Sequence, residues 1–358
     1  MSPRLEVFSC VSWSHVSSTS PKTILDSLRK SSPRLHVLKL VLVALDGLSL
    51  SPVGAFEQLE ELTIHQSPDA QIATVNVEFL QNISARQTLR HLELVGNLKI
   101  VPFPTPPIIH NPVPFPALEH IELKCHLTMD SVTMLLRCAT FPVLGCLVIY
   151  PDHDSLLTSD EVGHWHQFFN AIGNATTKCF HTLRVGSIAA RSTLSSLPNL
   201  SSLSLTTFHA IVSSLHRHDI VTIINAWPLL IDLSLSFKFD EPPKFGFSIL
   251  IDIAVGLPHL RNLLLSIDSH DLPNLNDIPI RLHGLNSLWL VLFNSNRRQA
   301  WDIMQFVDRL FPHLEIWSIC PVESDDDDAE DWDEEQKIIS KLQQARKDES
   351  IRIKSGNV

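Results

Sequence analysis

The stretch Thr88 to Asn97 reads TLRHLELVGN, with leucines at Leu89, Leu92 and Leu94. In an extended strand alternate side chains point to opposite faces, so Leu92 and Leu94 share one face and Glu93 takes the other. The same L-x-x-L-x-L frame, often led by proline, recurs along the chain. It reads PRLEVFSC from Pro3, PRLHVLKL from Pro33, QLEELTI from Gln58, PALEHIEL from Pro116 and PVLGCLVI from Pro142. It continues as TLRVGSI from Thr182, PNLSSLSL from Pro198, PLLIDLSL from Pro228, PHLRNLLL from Pro258, GLNSLWL from Gly284 and PHLEIWSI from Pro312. The first leucine of each unit runs from Leu5 to Leu314 at a mean spacing of about 28 residues, inside the roughly 20–29 expected of short strand-and-helix arrays. The Leu183 unit is the weak one, because Gly186 stands where a second leucine is due.

A strand this short cannot bury its apolar face alone, but parallel neighbours stacked beside it can. The segments between strands must then cover that face. Pro21-Lys22-Thr23-Ile24 opens a helical stripe after Ser20, and Met129 to Ala139 places Val132, Leu135, Leu136 and Ala139 on one face. Asp160 to Ile172, Ser213 to Trp227, Phe247 to Val255 and Arg298 to Phe311 carry similar stripes, and Asp69 to Ile83 reads as a further helix. The fold class is therefore α/β: a leucine-rich-repeat solenoid of about 11–12 repeats over residues 1–320, with a parallel sheet on the concave wall and helices on the convex wall.

Residues 101–116, VPFPTPPIIHNPVPFP, hold seven prolines and predict an extended bridge in place of a helix; their Pro104-x-x-Pro107 spacing also fits an SH3 or WW groove, less well than a stiff loop. Residues 323–335, ESDDDDAEDWDEE, carry ten acidic side chains and predict a solvated loop without the glycine or ligand spacing of a calcium site. Residues 336–349 predict a capping helix with Ile338, Leu342 and Ala345 on one stripe, followed by a tail over 350–358. At the other end, Leu5, Phe8 and Cys10 are expected to form an edge unit with one side uncovered.

The 358 residues are 44% hydrophobic, enough for a sizeable core. Only 11 glycines are present, which disfavours phosphate-cradling loops. The net charge of −11 sits almost wholly in the acidic run, and it argues against nucleic-acid or anionic-lipid partners. No stretch has the length of a membrane span, and the first twenty residues lack the pattern of a secretory signal. The six cysteines fit no zinc spacing and read as reduced and buried, which places the chain in the cytoplasm or nucleus. His164 and His166 are two residues apart, a spacing that does not aim two ligands from one helix face, and His216-Arg217-His218 precedes a helix and reads as a solvated first turn. No G-x-S-x-G or comparable nucleophile motif occurs. No catalytic residue, cofactor or metal site is expected.

The residues on the open side of the strands carry the functional reading. Glu61, His91, Glu93, His120 and Glu122 form an acidic, histidine-flanked area suited to a basic segment. Leu264 and Trp289 form an apolar area suited to an aromatic or aliphatic anchor, and tryptophan is enriched at interface hot spots.

PRLEVFSC, PRLHVLKL, FPALEHIEL, LPNLSSLSL, WPLLIDLSL, LPHLRNLLL and FPHLEIWSI resemble the leucine-rich region of fungal F-box proteins of the mushroom-forming group, and the acidic insert before a final helix is similar to those chains. The resemblance implies a non-catalytic recognition scaffold, the substrate-binding region of an F-box subunit of a cullin-type ubiquitin ligase. In that family a helical F-box precedes the repeats and binds a Skp-type adaptor; no such module stands before Leu5, so adaptor binding is expected only where one is present. The alternative is a free-standing leucine-rich scaffold or regulator with no ubiquitin link.

Overall fold

The computed structural model describes residues 5–10, 21–42, 51–67, 73–75, 77–84, 86–100, 113–126, 128–150, 161–176, 179–188, 207–212, 216–237, 243–274, 283–294, 299–321, 337–338, 341 and 343. Contacts divide the chain into two compact units, Met1–Ser187 with Ser202–Ser204, and Ile188–Ser201 with Leu205–Val358.

In the first unit strands and helices alternate as β1 (Val7–Cys10), α1 (Pro21–Ser31), β2 (Val37–Leu42), a 3-10 turn (Ser51–Ala55), β3 (Glu61–Gln66), β4 (Ala73–Val75) and α2 (Val77–Ser84). They continue as β5 (His91–Ile100), β6 (Val113–Pro114), β7 (His120–His126), α3 (Met129–Cys138), β8 (Ala139–Thr140), β9 (Cys146–Ile149), α4 (Glu161–Ala175) and β10 (Thr182–Ile188). The main strands lie in the order β1-β2-β3-β5-β7-β9-β10, each pair parallel. The second unit runs β11 (Thr207–Val212), α5 (Arg217–Ala226), β12 (Asp232–Phe237), α6 (Ser248–Gly256), β13 (Asn262–Asp268), β14 (Ser287–Phe293), α7 (Ala300–Leu310) and β15 (Ile316–Pro321). Its strands are also parallel and in sequence order. Parallel neighbours need a crossover; helices lie in most of these connections, whereas a 3-10 turn stands between β2 and β3 and no helix is described between β5 and β7 or between β13 and β14.

The alternation read from the sequence places the core. Leu38, Leu62, Leu92, Ile121 and Leu147 stand side by side in register and are buried, as are Leu233, Leu263 and Leu288. The helices of the first unit bury Leu25, Leu28, Val132, Leu135, Phe168 and Phe169, and those of the second bury Ile253 and Phe306. Prolines set where the helices stop. Trp227, Leu257 and Phe311 each donate their N–H back to a helix carbonyl at 2.8–2.9 Å and bury their side chains, and a proline follows each of them. Proline has no donor and cannot continue the helix, so the chain turns towards the next strand there.

A second local geometry repeats at the start of the strands. One carbonyl accepts two successive N–H groups of the next strand: Glu6 from His36 and Val37, His36 from Glu60 and Glu61, and Glu60 from Arg90 and His91. Ile231 and Arg261 do the same for β13 and β14. Gly96 interrupts β5 with a φ of 96°, and a Cβ there would overlap the Gln66 carbonyl; the register slips just beyond it. Only glycine fits that bulge without strain.

His283 solves the same turn before β14 by side chain. Its Nε2 lies 2.8 Å from the Leu257 carbonyl and its Nδ1 accepts the Leu285 N–H at 3.1 Å, so the neutral ring with its proton on Nε2 satisfies both partners. Burial pushes its pKa down, and nearby Arg261 adds to that. The unfolded chain therefore protonates first as pH falls. His283 stabilises the fold fully above about pH 6.5, and that contribution is lost as pH falls below it. We expect denaturant midpoints of the second unit to drop between about pH 7.5 and about pH 5.5, and His283→Gln to flatten the drop. An unchanged slope would remove His283 from the account.

Several expectations change. Residues 69–83 are not one helix: Ala73–Val75 pairs with β5 and α2 begins at Val77. The helix expected from Ser213 begins at Arg217, where the Asp219 carboxylate accepts the His216 N–H at 2.8 Å. In the weak unit Leu183 pairs with Leu147, so the frame is Phe180-x-x-Leu183-x-Val185, with all three buried. The strand paired with β12 is Thr207–Val212, which places Phe208 beside Leu233, while Leu203 lies outside the described residues. The acidic run and most of the proline-rich segment also lie outside them, apart from Val113–Pro116, whose β6 pairs with β8. Of the terminal segment, Ile338 is exposed, whereas Gln343 is buried and donates to Asp308 Oδ1 and the Phe311 carbonyl at 3.2 and 3.3 Å.

Candidate functional site

The open face of the first unit's strands carries three rows of side chains, because residues two apart on a strand share a face. One row runs Glu61, His91, His120 and Cys146; the next runs Lys39, Thr63, Glu93, Glu122, Val148 and Arg184. The third holds His65, Val95 and Lys124. The five polar residues expected at this site are thus brought onto one face by register alone.

Their chemistry is a linked ladder. The His91 and His120 rings stack with centroids 4.4 Å apart and planes within 6°. Glu93 accepts from Thr63 Oγ1 and faces His65 Nε2, both at 3.2 Å. Glu122 lies 3.6 Å from His120 Nε2 and pairs closely with Lys124, whose ammonium lies 5.2 Å from the Tyr150 ring centre. Burial would raise the Glu122 pKa, but Lys124 and His120 more than offset it and hold it below the usual carboxylate range. Burial lowers the His120 pKa, the stacked His91 lowers it further, and Glu122 opposes both. Two of the three carboxylates are therefore already engaged within the chain, and Glu61 is the exposed one. The area is mixed in charge, with Lys39, Lys124 and Arg184 exposed on the same face.

The open face of the second unit's strands is different. Leu264 and Trp289 are direct register partners on β13 and β14, with Ser234 and Ser318 completing the row. Trp289 is 37% exposed and Leu264 half-buried. The adjacent row runs Asp232, Asn262, Ser287 and Ile316, where the Asn262 amide donates to Asp232 and Ile316 is 56% exposed. Ile316 widens the apolar patch beyond the two residues expected. Its signal was the frame itself: with Trp317 read as the second apolar position of PHLEIWSI, Ile316 falls on the open side. His65 and Lys124 were missed similarly, since they stand one step past the frame; Tyr150 follows β9 directly.

No family model matches the sequence, and no curated protein matches it. Among the described residues no three His, Cys, Asp or Glu side chains are grouped to hold a metal ion, and no helix is long and apolar enough to cross a membrane.

The thiols follow burial. Burial pushes Cys125 up to about 12 and Cys146 to about 11, whereas Cys179 and Cys320 are exposed. A thiolate is the reactive form, so Cys179 and Cys320 should take up a thiol reagent under native conditions while Cys125 and Cys146 resist until denaturation. Mass mapping of the labelled peptides checks this; fast native labelling of Cys125 would contradict the β7 register.

Proposed function

We propose that this chain is a non-catalytic protein-recognition scaffold, a leucine-rich-repeat solenoid whose open sheet faces hold a protein partner. In role it is similar to the substrate-binding region of an F-box subunit of a cullin-type ubiquitin ligase, acting in the cytoplasm or nucleus. The observation that carries the reading is the Leu264–Trp289 pair. An exposed tryptophan beside a leucine on a rigid strand face, rimmed by serines, is the arrangement of an interface anchor. The recurring proline-led turn and the two-donor carbonyl support a repeated unit. The polar ladder of the first unit suits a partner with charges of both signs and steers the encounter rather than supplying affinity.

The test is native affinity purification with wild type, Trp289→Ala and Trp301→Ala. Trp301 lies on α7 and is 42% exposed, so it controls for loss of any surface tryptophan. Loss of a protein partner with Trp289→Ala alone supports the reading; equal loss, or no effect, overturns it. Recovery of a Skp-type adaptor with the natural gene product supports the ligase role, and its absence from a partner-bearing preparation favours a free-standing scaffold.

A further inference from the structure

The stacked pair His91–His120 sits at the centre of a charged field. On its own strands lie Glu93, Glu122 and Lys124, on β3 Glu61 and His65, and on β9 Cys146, a thiol that burial holds protonated. Lys39 on β2 and Arg184 on β10 stand farther out on either side, Tyr150 follows β9 and His181 precedes β10. At the strand starts Arg90 pairs with Glu119 and His36 with Glu60. With neutral imidazoles the carboxylates of Glu61, Glu93 and Glu122 match the cations of Lys39, Lys124 and Arg184. Between neutral and mildly acidic pH only imidazoles change charge, so acid moves this face in one direction, towards positive.

The pair is also placed to pass that change on. His120, Glu122 and Lys124 alternate along β7 and share its open face. Glu122 pairs closely with Lys124, while its other oxygen lies 3.6 Å from His120 Nε2, an atom buried with no hydrogen-bond partner among the described residues. A protonated ring donates from both nitrogens, so a proton on His120 gives Glu122 a second cationic partner and draws it from Lys124. Lys124 is exposed, and its ammonium is then free beside the Tyr150 ring. The His91 and His120 rings are 4.4 Å apart, so a second proton enters the pair against the charge of the first. Burial and the stacked His91 lower the His120 pKa, which sets the full change on the acid side of about 6.5.

We propose that protonation of the His91–His120 pair turns the open face of the first unit into a receptor for an acidic segment of the protein partner. This deepens the recognition role given above and rests on it. Charge complementarity sets the sign: an imidazolium and a released ammonium call for carboxylates, whereas the balanced face at higher pH holds such a segment weakly.

The probe is a rhodamine-labelled peptide of alternating glutamate and serine, which stays largely ionised at about pH 5.5. Anisotropy should show saturable binding at about pH 5.5 that weakens about tenfold by about pH 7.5. His91→Gln combined with His120→Gln should flatten that dependence, and Lys124→Met should weaken the binding at about pH 5.5 about fivefold. Calorimetry of the wild-type chain in two buffers of different ionisation enthalpy should show proton uptake on binding, a readout that needs no variant. Trp289→Ala should leave all of this unchanged, so failure of the apolar anchor and failure of the switch are seen separately. Absence of saturable binding at about pH 5.5, proton release on binding, or a pH dependence that survives the double histidine variant overturns the proposal.

Discussion

Replacing Leu263 by alanine is expected to destabilise the second unit by about 2–5 kcal/mol. Leu263 is fully buried in β13, and its register partners Leu233 and Leu288 are buried on either side. The loss combines the transfer of the removed methyl groups with the cavity left behind, and neighbours fixed in a hydrogen-bonded sheet close that cavity poorly. Leu264→Ala is the matched control. The two residues are adjacent and chemically identical, but Leu264 stands on the open face, so its truncation should cost less than about 1 kcal/mol. Urea midpoints at constant slope measure both. Equal losses at the two positions would show that the faces have been assigned wrongly.

The second large effect concerns recognition. Trp289→Ala should weaken partner binding by about 2 kcal/mol or more, about thirtyfold in Kd, almost wholly through faster dissociation. Glu93→Ala combined with Glu122→Ala should instead change the association rate and its salt dependence, because half-exposed charges act mainly on the encounter. Stopped-flow association and dissociation at two salt concentrations separate these outcomes. A Trp289→Ala variant with unchanged dissociation would take the anchor role from that residue.

Much of this arrangement was legible in the sequence because one rule, period-two alternation after a proline-led turn, fixes both the core row and the open row. Leu92, Leu233 and Leu263 fell where the frame put them, and so did Glu93, Glu122 and Trp289. The frame failed where another apolar residue substitutes for leucine. FHTLRV was read one step late because its first apolar position is Phe180, and that slip hid Arg184 on the open face. Residues 73–75 were absorbed into a helix because three residues carry too little pattern to declare a strand. The partnering of Glu93 and Glu122 was not legible at all. It depends on which long side chains from neighbouring strands meet, and register has to be known first.

Partners are expected to bind on the open strand face and not on the helices, and hydroxyl-radical footprinting of Trp289 and Trp301 distinguishes the two surfaces. Trp289 and Trp301 are oxidised at comparable rates when comparably exposed, and they are 37% and 42% exposed on opposite layers of the same unit. With a partner bound, Trp289 should be strongly protected and Trp301 oxidised as before; protection of Trp301 with Trp289 still reactive would place the partner on the helices instead.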